Sequence, residues 1–377
     1  EAISRIKIMV ANVLSRQGKY NEALELYKQA KEMQEKLNLK SGVAVCLTAV
    51  GEIYLRTGDI KQAVTNFNGA LSIETELENK WGLAILWKNL AGVYWLQNDI
   101  KEARENLSKS LLAFEDLLIK TTDYVEGLRL MINIDLEEGS YDRAEDNLKK
   151  LKVLADERRS SNQILDAKHA YEVSGLLECR GDHESAIDWL LKTYNMAYQL
   201  DLPDLKISCL LKLSKITIKL YERQSSGMNY QNGVNRAILY LNDVEKILHE
   251  NSPVSTTRKD QEQDLLDRVT FYLEVIDKLT QEYDLPSLRV DVMVTRAMLF
   301  RTMNEFKKAE KLFKQAGKLS DKSGFVKRTM EIQALSRESR LQDKATKKSR
   351  MLELRQAKSY LDDVLRQISI LRIDKNR

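Results

Sequence analysis

The sequence predicts an all-α fold built as an array of helix pairs, and two observations carry this prediction. Glycine (15) and proline (3) are scarce in 377 residues, while 43% are hydrophobic and 31% charged, a balance that favours long helices over sheets. The chain also repeats one sequence pattern: GKYNEALELYKQAKEMQ from Gly18, GDIKQAVTNFNGALSIE from Gly58 and NDIKEARENLSKSLLAF from Asn98. A chain of this length with such a period is expected to stack several units.

The composition also argues against several classes of protein. Basic residues (60) and acidic residues (56) are interspersed and leave a net charge of +4, which does not favour nucleic acid or an anionic membrane as a ligand. Cys46, Cys179 and Cys209 are far apart and odd in number, so neither a disulfide scaffold nor a zinc site is predicted, and a reducing, cytoplasmic location is expected. No run of about 18 apolar residues occurs, so no membrane contact is expected.

The repeat predicts the helix pairs in order along the chain. A turn residue is followed five positions later by an alanine in the second helix of a pair. These alanines are Ala23, Ala63, Ala103, Ala144, Ala186 and Ala309. Small residues at such positions let two helix backbones approach closely, while large ones such as Tyr54 and Phe67 fill the space beside them.

This pattern resembles the tetratricopeptide repeat, in which two antiparallel helices, A and B, cross at small residues. Around Ala63 the pattern is carried by Leu47, Val50, Gly51, Tyr54, Gly58, Ala63, Phe67 and Ala70. It is similar to the 40-residue, long-helix arrays of kinesin light chains, of polarity adaptors with GoLoco tails and of sensor arrays in signalling ATPases and transcription activators. The resemblance implies a right-handed α-solenoid whose concave inner wall is made chiefly by A helices, and relatives that bind peptides, helices or whole domains.

Departures from the period predict the domain organisation. An N-terminal array of about six repeats is predicted for residues 1–250, with a loop insertion near residues 222–232 before the next B-helix alanine, Ala237. A C-terminal subarray is predicted for residues 251–377, with a long capping helix over 346–372. Two alternatives stay open: one continuous solenoid with a degenerate repeat instead of a break, and a dimerising coiled coil instead of the cap. The chain is predicted to be a monomer.

Residues that could support catalysis are few. The histidines are His169, His183 and His249, and no GxxxxGK[ST] motif is present to cradle phosphates. Cys179 and His183 are close in sequence, but His183 falls in an inter-helix turn, so a structural role is predicted for it. No catalytic residue, metal ligand or cofactor is predicted, and the chain is predicted not to be an enzyme.

The candidate binding surface is the inner face of the A helices. Side chains three or four residues apart share one face of a helix, and this face carries mainly basic and amide groups. The candidates are Arg5, Asn12, Lys88, Asn89, Trp95, Arg129, Asn133, Lys168, Tyr171, Lys212 and Lys215. The resemblance adds that repeats which grip a carboxylate carry Lys or Arg followed four residues later by Asn, a pair that Arg129 and Asn133 match and that Lys88 with Gly92 does not.

Two classes of function follow from this surface. The favoured one is a protein-interaction scaffold or sensor module whose groove binds a peptide or helical segment of a partner, and the expected ligand is an acidic peptide or a C-terminal carboxylate. The alternative is a regulatory domain of a larger signalling ATPase or transcription activator, because the chain begins at Glu1 in the middle of a helical pattern and is expected to be a fragment. A basic face near residues 344–358 leaves nucleic acid as a distant third ligand class.

Overall fold

The computed structural model describes residues 1–118, 120–157, 163–225, 258–282, 286–325, 328–349 and 351. These residues are helical apart from turns and short connections, and successive helices form antiparallel pairs of a tetratricopeptide-like α-solenoid. The A helices are α1 (Ala2–Arg16), α3 (Lys40–Thr57), α5 (Lys80–Leu96), α7 (Thr122–Glu137), α9 (Gln163–Cys179), α11 (Pro203–Ser225), α13 (Pro286–Thr302) and α15 (328–349). The B helices are α2 (Tyr20–Lys36), α4 (Ile60–Glu76), α6 (Ile100–Asp116), α8 (Tyr141–Glu157), α10 (His183–Gln199) and α14 (Phe306–Lys322), and α12 (Arg258–Glu282) packs between α11 and α13.

The small-residue crossings lie where the repeat predicts them. The alanines at the predicted B-helix positions are all 0% exposed: Ala23, Ala63, Ala103, Ala144, Ala186 and Ala309. On the facing A helices Ala91 and Ala297 are 0% exposed as well, and a Cβ built on Gly51 would lie 2.6 Å from the Phe67 ring. The predicted register and fold class are therefore confirmed.

The turns inside the pairs share one chemistry. Gly58 ends α3 with a left-handed backbone (φ +83°), and the Asp59 carboxylate then accepts a hydrogen bond of 3.1 Å from the backbone N–H of Gln62. Asp99 and Asp182 cap α6 and α10 in the same way. A residue that tolerates positive φ followed by a capping carboxylate stops one helix and starts the next, which produces the tight antiparallel pair.

The departures from the period lie mostly at the limits of the described residues. Helix α11 continues to Ser225, so the first four residues of the predicted insertion at 222–232 are helical. The remainder of that insertion, Ala237 and most of the predicted cap over 346–372 lie outside the described residues. One apolar cluster contains residues of α10, α11, α12 and α13, and so includes residues on both sides of the predicted boundary at residue 250.

The last helices contact the second and third helix pairs. Helix α13 packs on α3, and Phe325, which follows α14, is 1% exposed in an apolar cluster formed by α3, α4 and α5. The Asn98 side-chain amide lies 3.9 Å from the sulfur of Met330 in α15. The C-terminal helices of the solenoid therefore contact its early repeats.

Candidate functional site

A groove of about 770 Å³ follows the inner wall and is lined by five successive A helices, α3, α5, α7, α9 and α11. Apolar side chains of the lining include Leu55, Leu130, Ile164, Leu202 and Leu205. Charged groups of both signs lie among them. An inner wall made of A helices is the surface that the repeat predicts, and its mixture of apolar and polar groups is typical of a protein-binding groove.

Three cations of the groove, Lys88, Arg129 and Lys168, pair with carboxylates of a neighbouring repeat. Lys88 Nζ lies 2.7 Å from Asp123 Oδ1, and Arg129 Nε lies 2.7 Å from Glu172 Oε1. Lys168 donates to Glu126, whose second oxygen is 3.1 Å from Arg129 Nη1. The result is a ladder of alternating charges that joins α5, α7 and α9.

The protonation states of this ladder follow from the pairing. Burial by itself would lower the pKa of Arg129, but the charges of Glu172 and Glu126 outweigh burial and raise it. Burial would likewise raise the pKa of Glu126, but Arg129 and Lys168 lower it. Both groups are therefore ionised at neutral pH, and a ligand carboxylate that approaches Arg129 must compete with Glu172, a side chain only 1% exposed.

Four of the candidate residues come together in the groove: Lys88, Asn89, Arg129 and Lys168. Asn89 is 5% exposed and donates a 3.0 Å hydrogen bond to Glu52 Oε1, so it fixes the wall rather than offering a free amide. Asn133, one helical turn after Arg129, is half-buried and makes no side-chain hydrogen bond within the described residues. It is not among the residues that line the groove.

Three further candidates extend the inner wall toward α13. The Lys212 ammonium lies 4.0 Å from the centroid of the Tyr171 ring, a cation–π contact between α11 and α9. Lys215 Nζ lies 3.8 Å from Asp291 Oδ1 on α13. Burial lowers the pKa of Lys215 although Asp291 opposes this effect.

The remaining candidates do not line the groove. Arg5 is exposed and pairs with Glu1 at 2.6 Å, and Asn12 accepts a hydrogen bond from the Tyr27 hydroxyl of its partner helix. Trp95 is half-buried, and its indole N–H donates 3.1 Å to Glu137 Oε2.

The carboxylates Asp123, Glu126 and Glu172 were not among the sequence candidates. Each lies about one repeat away from its cation: 35 residues for Lys88 with Asp123, 42 for Glu126 with Lys168, and 43 for Arg129 with Glu172. Opposite charges at that offset on neighbouring A helices are the signal that could have identified them.

Two classes of site are not found within the described ranges. No cluster of three or more His, Cys, Asp or Glu side chains there could hold a metal ion. No helix there is both long and apolar enough to cross a bilayer.

Several solved structures are similar to this chain. Curated proteins give no match. The chain is similar in structure to a Rap protein complexed with competence and sporulation factor, with 12% identity, 86% of this chain and 99% of that chain covered, and a TM-score of 0.49. It is similar to a putative kinesin light chain with tetratricopeptide-like repeats from Podosopora anserina (16% identity, 53% and 98% covered, TM-score 0.42) and to aspartyl phosphate phosphatase F from Bacillus subtilis (12% identity, 83% of each chain covered, TM-score 0.45).

A family model agrees with the sequence pattern and the packing of the first three helix pairs. The tetratricopeptide repeat model matches residues 3–76 and 47–116, which include the pairs from α1 to α6. The alanines of the repeat are fully buried where the helices of the pairs cross. Residues 3–116 therefore carry tetratricopeptide repeats.

Proposed function

We propose that this protein is an interaction scaffold whose inner groove binds a peptide or a helical segment of a protein partner. Tetratricopeptide repeat domains generally bind proteins. The observation that carries the proposal is the groove across α3, α5, α7, α9 and α11, which is lined by both apolar and polar side chains. Apolar contacts would supply binding energy, and the polar groups would fix register.

The charges of the groove refine the proposed ligand. Its cations Lys88, Arg129 and Lys168 already have carboxylate partners, so Arg129 would bind a carboxylate of the ligand only weakly. Arg56 also lines the groove, is exposed and forms no ion pair with a described residue. We therefore place an acidic side chain or C-terminal carboxylate of the ligand at Arg56.

We also propose that the chain is not itself a catalyst. Burial raises the pKa of the Cys46 thiol to about 11 and that of the Cys209 thiol to about 12, so both stay protonated at neutral pH and are poor nucleophiles. The cations Lys88, Arg129 and Lys168 are neutralised by neighbouring carboxylates, as expected for a structured binding wall. Incubation with acyl and phosphoryl test substrates is expected to give no turnover above the buffer rate.

We propose a cytoplasmic monomer. Free thiols at Cys46, Cys179 and Cys209 fit a reducing compartment. Light scattering is expected to give the mass of one chain, 43.5 kDa for these residues. A mass of two chains would contradict the monomer.

Gly92 provides a direct test of the groove. It lines the groove, and a Cβ at this position would meet only Leu55, at 3.9 Å, so a large side chain can grow into the empty space without disturbing the wall. Gly92→Trp is therefore expected to keep the fold and to block the ligand. The matched control is Ser72→Trp, which places the same ring on an exposed position of α4 outside the groove.

The assay selects binders for the wild-type protein from a random peptide library and measures their affinity for both variants. We expect peptides that lose at least tenfold in affinity for Gly92→Trp, equivalent to about 1.4 kcal/mol, and bind Ser72→Trp like the wild type. Enriched acidic residues in those peptides, with weaker binding to Arg56→Glu, would support the proposed contact at Arg56. If every selected peptide binds Gly92→Trp unchanged, the inner groove is not the recognition surface.

A further inference from the structure

The segment after α14 is buried against the second helix pair, although the other pairs of the solenoid lie between them in sequence. Phe325 is 1% exposed and belongs to the apolar cluster that contains Ile60, Phe67 and Leu90. In a simple solenoid each repeat contacts only its neighbours. This contact joins two distant repeats and is therefore a separate structural feature of the chain.

Two glycines form the centre of the contact. Gly58, at the α3–α4 turn, has φ +83°, and Gly324, after α14, has φ +70°. A Cβ on Gly58 would lie 2.7 Å from the Ser323 Cβ and 3.2 Å from the Phe325 ring, and a Cβ on Gly324 would lie 3.1 Å from Ile60. Neither glycine has room for a side chain, so the two turns interlock.

Other turns show that this crowding is not a general property of the repeat. Gly139 and Gly181 occupy equivalent turns with φ +70° and +84°, and a Cβ on either would meet nothing within 4 Å. Asn98 and Asn304 adopt positive φ at their turns, so asparagine is compatible with this backbone. Gly58 differs from Gly139 and Gly181 in its contact with the C-terminal segment.

Further contacts hold the same two regions together. Helix α13 packs on α3, and Asn98 of the α5–α6 turn faces Met330 at 3.9 Å. Arg328, which lies 3.0 Å from Asp291 of α13, has its pKa raised first by Asp291 and in smaller part by Glu137 at the end of α7. The start of α15 is therefore near the ends of both α5 and α7.

We propose that Ser323, Gly324 and Phe325 form a latch that holds the solenoid closed, and that release of the latch opens the inner groove at its α3 end. Arg56 lines the groove two residues before Gly58, so that end of the groove lies beside the latch. In this proposal, a partner segment that extends past α3 separates the latch from Gly58. This regulatory role rests on the proposed binding function, whereas the closed state itself does not.

The latch consists of one aromatic side chain and two closely packed turns. Single substitutions can therefore disrupt it without altering the helix pairs. Phe325→Ala removes the buried ring, and Gly58→Asn keeps a residue that accepts positive φ while filling the space that the latch occupies. Gly181→Asn is the matched control, because it makes the same substitution at a turn that faces open space.

The experiment measures the distance between two spin labels without any ligand. Labels are attached to Lys61→Cys on α4 and Lys318→Cys on α14, which are exposed, in a Cys179→Ser background that removes the exposed native thiol. The wild-type sequence is expected to give one short, narrow distance distribution. Phe325→Ala and Gly58→Asn are expected to shift it to longer distances and broaden it, while Gly181→Asn leaves it unchanged.

Circular dichroism first confirms that each variant keeps its helix content. If Phe325→Ala loses helix, Gly58→Asn alone decides the result. Unchanged distances in a folded Gly58→Asn variant would overturn the latch. Because no ligand is present, that failure leaves the groove proposal intact, and loss of peptide binding in Gly92→Trp bears only on the groove.

Discussion

The helices from α1 to α6 and the helices from α11 to α13 pack in different ways. The helices from α1 to α6 are 15 to 18 residues long, and neighbouring helices cross at small residues such as Ala63 and Ala103. Helices α11 and α12 are 23 and 25 residues long, and α11 packs on α9, α10, α12 and α13. Its buried residues include Ile207, Leu213 and Ile216, each 0% exposed.

The difference shows what a helical repeat needs in order to be recognised. In the first region each helix has a defined inner and outer face. A small residue at the helix crossing therefore recurs about every 40 residues, and the repeat can be recognised in the sequence. Helix α11 is covered on several sides, so apolar residues occupy positions all around it and the periodic signal disappears. The regular region should therefore be sensitive to added volume, and the irregular one to lost volume.

The largest effect is expected in the irregular region. Leu213→Ala removes a fully buried side chain from a helix that is held by four neighbours, so the cavity cannot collapse easily. We expect a loss of about 2–5 kcal/mol in the free energy of unfolding, measured by urea titration of the helical circular dichroism signal. A loss smaller than that of Ala63→Leu would mean that α11 is not the centre of this region.

A smaller effect is expected at a crossing in the regular region. Ala63→Leu adds three heavy atoms where the position is 0% exposed, and we expect a loss of about 1–3 kcal/mol by the same titration. The control is Thr65→Leu on the exposed side of α4, for which a change within about 0.5 kcal/mol is expected. Equal losses in the two variants would show that the assigned crossing is wrong.

The helix caps of the regular region should contribute less. The Asp99 carboxylate accepts a 3.2 Å hydrogen bond from the Glu102 N–H, so Asp99→Ala leaves a donor in the first turn of α6 without its cap. We expect a loss of about 1 kcal/mol in the free energy of unfolding. Asp116→Ala, at the other end of the same helix, is the control, since an acidic residue there opposes the helix dipole and its removal should cost nothing.

The smallest effect should appear as a pH dependence where α10 meets α11. His183 is 6% exposed, and Arg223 Nη1 donates to its Nε2 at 2.9 Å, while its Nδ1 is buried without a partner among the described residues. Burial lowers the pKa of His183, and the Arg223 charge lowers it further. The unfolded chain then binds a proton more readily than the folded one, so stability is complete above the ordinary histidine pKa of 6.5 and falls as the pH drops below it.

The measurement compares unfolding titrations of wild type and His183→Gln above and below that pH. The variant should lose less stability on acidification than the wild type does. Part of the slope should remain, because burial also lowers the pKa of His169. Equal pH dependence in the two proteins would exclude His183 as a contributor.

The fold could be predicted because its main determinants are local and periodic. Ala63, Gly58 and Asp59 act within one pair, and the same roles recur a fixed distance along the chain. Spacing along single helices also indicated Lys88, Asn89, Arg129 and Lys168, which line the groove. The sequence of one helix does not show which carboxylate of the next repeat reaches a given cation. The ion pair of Arg129 with Glu172 could therefore be identified only from the structure.

The contact of Phe325 with the second helix pair could not be predicted from the sequence for another reason. It depends on how much the solenoid curves over many repeats, and small differences in each crossing angle accumulate along the array. Neither Gly58 nor Gly324 differs in local sequence from other turn glycines in a way that marks the crowding between them. Such a contact is decided by the whole superhelix and not by any single repeat.

The charge ladder of the inner wall also bears on mechanics. A solenoid behaves as a spring, and when it is stretched the spacing between neighbouring A helices on the inner radius must change. The pairs Lys88 with Asp123 and Arg129 with Glu172 bridge those helices, so they act as transverse ties that stiffen the coil. Because dissolved ions weaken partly exposed pairs such as the first more than buried ones, the elasticity of this coil should depend on the ionic strength around it.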